Sequence, residues 1–503
     1  MAIIKQFECF NLRLALGCTL IAFSSFNYGF DNQAFATSQA MDAFARAFGE
    51  RNARTGKYAL DPAWLSLFNS LNYVGFAAGV LIGSWVANKF GRRWCMFSMS
   101  IYALGTATIA VTSSNRDHIM AARILNYIYV GMELSVIPAF QSEIVPAPAR
   151  GLVVGSYQLS LIIGGLVING VCRGTSTIYD NRAWRIPLGL FYIVPTIIAC
   201  LVFLTPESPR WLLKNGRKDE ARSSLTAYRA GKFSQDEIDA EFRQLQYALE
   251  HEVEKGKFVE IFQGGNLKRT LLVIAINFFQ QATGQAFASQ YGTIYIKTLG
   301  TVNPFDFSLI TATINIVSIV ICLATIDRIG RRPLLLIGAA IQTVGLMTMG
   351  GLGTPSEISP NLKIGIVSMF ALMACGFSIG WAPLCYVVTT EIPALKLRDH
   401  TLRLGFFVNV VMNFAVNFSI PYLIYPKYAG LDSKVGFIFG SIAAICVVFT
   451  YFCIPECSGK SLEQVDYMFR EKVPLRQFGK YQVPVLTSED EKANEKLGIE
   501  GKA

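Results

Sequence analysis

A chain of 503 residues with 52% hydrophobic and only 16% charged side chains falls well short of the roughly one quarter charge of soluble domains, which excludes an ordinary soluble enzyme. Its net charge of +10 is spread over short loops with no soluble domain to form a groove, so it reads as membrane topology and no nucleic-acid partner is expected. Eleven cysteines lie mostly inside apolar runs, with only Cys172 near an outer face. Three histidines, His118, His251 and His400, are scattered, so neither a disulfide framework nor a metal site is expected.

The apolar residues gather into about twelve blocks near the ~20-residue spanning length. In chain order they are 12–37, 65–87, 95–111, 119–141, 152–171 and 186–204, then 270–289, 307–326, 334–350, 364–388, 402–424 and 435–454. The first run is too long for a cleaved signal peptide and lacks a small-residue cleavage site, so it is expected to stay as a span. Between the sixth and seventh blocks lies a charged stretch in helical period, where Ser234 followed by Glu237 makes a capping box. Beyond Met468 the tail turns polar, ending in the run 488–492, and is expected to be disordered. The one N-x-S/T match, at Asn417, falls inside a span and is taken as chance.

Lys89, Arg92, Arg93, Arg150, the basic residues of 210–269, Arg328, Arg331, Arg332, Lys396, Arg398 and Arg403 all fall on one side if the spans alternate. Positive charge marks that side as cytosolic, with both termini inside. The same side carries a duplication. Gly91-Arg92-Arg93 returns as Gly330-Arg331-Arg332, Glu143 with Arg150 returns as Glu391 with Arg398, and Pro206-Glu207-Ser208 returns as Pro455-Glu456 with Ser458. Two membrane-embedded halves repeated about half a chain apart form the architecture that rocks around a central site. The expected division is a first bundle 1–205, a cytosolic linker 206–268, a second bundle 269–456 and a tail 457–503.

These motifs, with Gly29-Phe30-Asp31, Arg123, Pro138, Pro209-Arg210-Trp211, Gln280-Gln281, Gly284, Asp327, Asn413-Phe414, Pro421 and Gly459-Lys460, resemble the sugar porters of the major facilitator superfamily, and the match runs from Tyr28 to Glu463. The resemblance implies an all-α membrane fold of twelve helices in two pseudo-symmetric six-helix bundles. It also implies a fungal source, no enzymatic activity and no cofactor. One departure is Asn88, where the family usually has Asp.

Asp31 lies well inside the first span with no basic residue close in sequence, and an ionised acid at that depth costs about 3 kcal/mol, so it needs a partner or a function. Arg123, in an antiparallel span, is the expected partner. In proton-coupled sugar porters the matching Asp carries the proton and the matching Arg tunes it. Glu133, about three turns inward of Arg123, is a second candidate on a proton path.

Amides suit a sugar because each offers both a donor and an acceptor to hydroxyls. The family's sugar contacts fall here on Gln158, Gln280, Gln281, Asn315 and Asn409, with Tyr28, Gln285 and Tyr386 beside them. The family pattern has Asn at Ala286, Tyr at Gln290, Trp at Tyr386 and Trp at Val410, so the pocket is expected to be roomier on the second-half side. Charge pairs among Arg92, Arg93, Glu143, Arg150, Glu207, Arg331, Arg332, Glu391, Arg398 and Glu456 are expected to gate the cytosolic side. The reading is a monomeric plasma-membrane importer of a sugar or sugar-like solute by proton symport. The alternatives are a carrier of a non-sugar polyol or secondary metabolite, and an uncoupled sugar facilitator. A sensor without transport is disfavoured by the short tail, and catalysis by the lack of a nucleophile with a base.

Overall fold

The structure, a computed structural model, describes residues 10–51, 56, 58–250, 256–355, 357–460 and 462–481; the side chains of a few helical residues, Arg150 and Asp327 among them, lie outside that description. Backbone in hydrocarbon has no water to bond, so the long apolar runs close their hydrogen bonds as helices. In the first half these are α1 (Leu12–Ser38), α2 (Pro62–Phe90), α3 (Arg92–Val111), α4 (Arg116–Ile144), α5 (Ala147–Thr175) and α6 (Arg182–Leu204). The second half holds α7 (Gly264–Ala282), α8 (Gln285–Leu299), α9 (Pro304–Ile329), α10 (Arg331–Leu352), α11 (Pro360–Glu391), α12 (Arg398–Ile424) and α13 (Asp432–Cys453). An antiparallel ribbon pairing Glu50–Arg51 with Tyr58–Ala59, between α1 and α2, is a small departure from the all-helical plan.

Several helices begin before their apolar run because polar caps set the start. Asn115 accepts the His118 N–H, Asn303 accepts those of Phe305 and Asp306 ahead of Pro304, and Ser359 accepts that of Leu362. The expected span 270–289 needs a larger correction. The chain leaves the helix at Gly284, in the left-handed region at φ 85°, where an added Cβ would stand 2.6 Å from the Phe439 ring, so α7 and α8 make one broken crossing. Among the described residues nine helices are apolar and long enough to cross a membrane. Outside that group are α1 and the broken α7–α8, whose spans interrupt the apolar pattern with Asn27 and Asp31 and with Asn277 and Gln280.

In the first half α1 packs along α5 and α2 along α4; in the second, α7 lies along α12, and α10 packs on both α11 and α13. Small residues allow the tightest approach, since a Cβ on Gly29 would stand 1.7 Å from the Leu161 carbonyl oxygen. The stretch between the halves forms helices Pro209–Lys214, Lys218–Arg229 and Gln235–Glu250. Its capping box is present: Ser234 N–H donates to Glu237 at 2.8 Å, and Glu237 N–H to Ser234 Oγ at 3.3 Å. The Ser234 N–H and hydroxyl, both donating to the carboxylate, hold the Glu237 carboxyl below its ordinary value. Arg229, with its side chain 1% exposed, donates to Glu241 at 2.9 and 2.8 Å and to the Ile144 carbonyl at 2.8 Å, which fastens the linker to the end of α4.

The tail past Met468 is ordered further than its polarity indicates. Helix Leu462–Arg470 docks through a buried Arg269–Asp466 ion pair, and Val473 and Phe478 are buried beside Cys457 and Val465. The run 488–492 lies outside the described residues. Asn417 is buried within α12, inaccessible to glycosylation.

The two halves meet on the face opposite the linker, where α1 touches α8, the first turns of α2 touch α12, and α5 touches α9. Ser66 Oγ donates to the Phe418 carbonyl at 2.7 Å, and Asn169 Nδ2 to that of Ser308 at 3.4 Å. Three ion pairs join them there: Lys297–Asp42 at 2.6 Å, Lys427–Asp61 at 3.0 Å, and Arg173–Asp306. The molecule is therefore closed on the face away from the linker. Replacing Lys297 and Lys427 together by Gln should loosen that closure and shift the balance of states several-fold toward opening there. The check is maleimide labelling from that face of a Ser66→Cys reporter, above the native cysteine background. Equal labelling with and without the two lysines would assign the closure to the apolar contacts instead.

Candidate translocation site

The repeated corners have a shared geometry. Gly91 turns the chain from α2 into α3 at φ 98°, and Glu207 reaches back to accept the backbone N–H groups of Arg92 at 3.1 Å and Arg93 at 3.0 Å. Gly330 does the same at φ 97°, and Glu456 accepts Arg331 N–H at 3.1 Å and Arg332 N–H at 2.9 Å. In both, the carboxylate meets the donors and positive end of a helix N-terminus. A Cβ would stand 2.5 Å from Glu207 Oε2 at Gly91 and 2.6 Å from Glu456 Oε2 at Gly330, so only glycine fits. Burial pushes the Glu207 carboxyl up from its ordinary value, against the pull of the N–H groups of Ser208, Arg93 and Arg92.

The arginines then pair within their own half. Arg92 grips Glu143 with two bonds of 2.9 and 2.8 Å, and Arg331 meets Glu391 at 3.3 Å and Ser458 Oγ at 3.1 Å. Arg93 donates to the Phe203 carbonyl at 3.0 Å and Arg332 to that of Tyr451 at 2.5 Å. Each of these pairs ties two helices of one bundle. Arg398 opens α12, and the side chain of Arg150 lies outside the described residues.

Deeper in the first half, Arg123 Nη1 of α4 donates to Asp31 Oδ2 of α1 at 3.1 Å, with the residues 4% and 5% exposed. The guanidinium also lies 4.0 Å from the Phe35 ring centroid and 4.8 Å from that of Tyr127. Its Nε and Nη2 have no hydrogen-bond partner in the protein.

The second-half amides form one network. Gln281 Nε2 donates to Asn409 Oδ1 at 3.0 Å, and Asn409 Nδ2 donates to Gln280 Oε1 at 2.5 Å and to Asn277 Oδ1 at 3.4 Å. Gln280 Nε2 reaches the Trp381 carbonyl at 3.4 Å, at the end of the wide π turn Phe377–Trp381 that interrupts α11 ahead of Pro383. Asn315 accepts from Ser378 at 2.9 Å. Gln285 and Asn315 line, with Gln33 and Asn169 of the first half, a cavity of about 80 Å³, far below the ~300 Å³ of a small-molecule pocket. Closure has squeezed the space on that side. Gln158, Tyr28 and Tyr386 are not fully buried; Tyr386 is 43% exposed, with its ring 6.0 Å from that of Phe406.

Two expectations need correction and two residues were missed. Ala286 does not widen a pocket: it is 3% exposed and packed in an apolar cluster with Phe287, Tyr291 and Phe439, because the break at Gly284 turns it inward. Val410 packs against the first-half core rather than leaving a gap. Asn32 was overlooked although it follows Asp31; it accepts from Tyr127 at 2.7 Å and, across the halves, from Gln290 at 3.0 Å. Asn277 was overlooked although it sits three residues before Gln280, on the same helical face.

With this geometry in place, the likeness to known proteins has a physical footing. A family profile described as "Sugar (and other) transporter" matches residues 17–469. The chain is 30% identical to the major facilitator-type transporter ecdD of Aspergillus rugulosus over 92% of this chain and 88% of that one. It is 29% identical to the hexose transporter HXT9 of Saccharomyces cerevisiae over 92% of this chain and 83% of that one. Its fold matches the major facilitator proton:xylose symporter XylE of E. coli bound to 6-bromo-6-deoxy-D-glucose, with a TM-score of 0.69 at 20% identity, over 91% of this chain and 99% of that one. The protein is a multi-pass membrane transporter of the major facilitator fold and belongs to the Sugar (and other) transporter family.

Proposed function

We propose that the protein imports a sugar or sugar-like polyol together with a proton by alternating access. It acts as a monomer in the plasma membrane with the linker, tail and both termini cytosolic. The observation that carries this reading is the placement of a buried acid–guanidinium pair, Asp31–Arg123, in the same membrane interior as the amides Gln280, Gln281, Asn315 and Asn409. A buried ion pair is no economy in stability, since breaking one by removing a partner costs about 3–5 kcal/mol while an apolar replacement of both is often neutral. Its presence fits a carboxyl that must exchange a proton. The names of HXT9, a hexose transporter, and XylE, a proton:xylose symporter, agree with the solute class and the coupling.

In this reading 1–205 and 269–456 are the rocking bodies, 206–268 the cytosolic linker and 457–503 the tail. The carboxylate-capped corners at Glu207 and Glu456, with Arg92–Glu143 and Arg331–Glu391, keep each body rigid at the cytosolic face. A second reading, a carrier of a bulkier or aromatic polyol, draws on Tyr386 and on Gln290, which Asn32 engages across the halves.

Three outcomes are expected. Asp31→Asn should abolish accumulation of labelled sugars in hexose-transporter-null yeast while leaving counterflow. At 100 mV the lost proton removes about 2.3 kcal/mol, or about fiftyfold in the gradient. Accumulation at the wild-type level with unchanged pH dependence would sink the coupling. Arg331→Ala or Glu391→Ala should lower turnover while leaving affinity in detergent near wild type; a parallel fall in both would place these residues in binding. Tyr386→Trp should raise glucose affinity about tenfold, the worth of roughly 1.4 kcal/mol of added ring contact. An unchanged or weaker glucose affinity would show that Tyr386 does not contact the solute.

A further inference from the structure

The coupling reading leaves one buried acid unused. Glu133 lies on α4 ten residues beyond Arg123, about 15 Å further along the helix toward the linker face. It is 0% exposed, and neither carboxyl oxygen has a hydrogen-bond partner in the protein. No basic side chain among the described residues pairs with it. The ionisable groups near it are phenols: Tyr28 of α1, Tyr129 one turn back on α4, and Tyr157 of α5. The groups that α3 and α2 bring near α4, Cys95 and Tyr73, interact with Arg92 and Glu207, and with Tyr127 and Arg123, instead. Holding an ionised carboxylate unpaired in such a place costs several kcal/mol, and a glutamine or leucine would avoid it.

The surroundings link this acid to the pair above it. Asn126 lies beside Asp31. One turn inward of Asp31, Asn27 Nδ2 donates to the Tyr129 hydroxyl at 3.2 Å, which leaves the phenol's own proton free to be given on. Tyr129 and Glu133 are four residues apart on one helical face. Ser24 Oγ, Asn27 Oδ1 and the Tyr157 hydroxyl are buried nearby without partners. Between Asp31 and Glu133 there thus lie buried polar atoms of α1, α4 and α5, one pair of them bonded and several with capacity unspent.

We infer that Glu133 is a second proton-binding site, which takes over the proton Asp31 releases and passes it toward the linker face. In the hand-over the Asp31 carboxyl gives up its proton and remains as a carboxylate held by Arg123. The proton arrives on the Glu133 carboxylate through the intervening hydroxyls, and Glu133 later yields it to water of the inner cavity. No charge is created or lost, and no other reactant is needed. The inference rests on the symport reading and adds a site and a direction to it.

The test is infrared difference spectroscopy of the purified full chain in liposomes, titrated with pH in the absence of solute. Wild-type-minus-variant spectra isolate the carboxyl C=O band of each buried acid. Asp31→Asn should remove one titrating band and Glu133→Gln a second. In Glu133→Gln the remaining Asp31 band should titrate with a displaced midpoint, as coupled sites do. Glu133→Asp, which keeps the acid, should restore a second titrating band and guards against a folding defect in the glutamine variant. If Glu133→Gln and wild type give the same spectrum at every pH, Glu133 never changes its proton and the proposal is overturned. A titrating Glu133 band beside a silent Asp31 band would overturn the coupling role of Asp31 and the hand-over with it, while keeping Glu133 as a proton site.

Discussion

Inside a bilayer no solvent can satisfy a stray donor, acceptor or charge, so every polar group must find its partner within the protein or line water. That constraint sorts this chain. The helices with unbroken apolar sequence, such as α6 and α13, carry exposed side chains including Ile193, Ile445 and Val448. Those that fail as continuous apolar runs, α1 and the broken α7–α8, hold Asn27, Asp31, Asn277 and Gln280, and their polar side chains bond inward. Hydropathy alone therefore undervalues α1 and the broken α7–α8, whereas α9 serves both sides, turning Asn315 to the cavity and Val317 outward.

The same constraint explains why the duplicated motifs read as they do. A helix that starts at the membrane surface exposes its first N–H groups. At α3 and α10 a carboxylate from the end of the same half, Glu207 or Glu456, fills that place, and the glycine before each helix leaves it room. The arginines that follow are then free to reach the ends of α4 and α11 at Glu143 and Glu391. Glycine, two arginines, one glutamate on a neighbouring helix and one on a following loop thus form a single device. It recurs because each half must solve the same end problem.

The sequence made most of the fold legible and rather less of the site. Long apolar runs located nearly every helix, and antiparallel alternation was enough to bring Asp31 and Arg123 together. The seventh crossing was misplaced since one glycine, between Thr283 and Gln285, gives no sign by itself that φ will be positive at Gly284. The consequence reached the site: beyond the break, the face presented by Ala286 is set by α8 and not by α7, so a pocket position inferred by counting from Gln280 became a core position. The tail was misjudged for a different reason. Beyond Met468 its polarity hid Val473 and Phe478, which are buried against Cys457 and Val465, a packing that no local pattern encodes. Asn32 escaped because its partners, Tyr127 and Gln290, belong to different halves.

What remains is a contrast between two kinds of contact. Within each half the paired charged groups are largely buried, as at Arg92–Glu143, Asp31–Arg123 and Arg331–Glu391. Between the halves the ion pairs Lys297–Asp42, Lys427–Asp61 and Arg173–Asp306 are far more exposed to solvent, where screening and side-chain entropy leave little net attraction. A transporter that alternates needs this ordering, with interactions inside each body strong enough to survive the swing and those across the seam weak enough to be exchanged. Buried, desolvated pairs between the halves would hold one state too firmly to turn over. Exposed pairs still favour closure, yet water can replace them as the seam opens, so the energy separating the two states stays small enough for a solute and a proton to tip it.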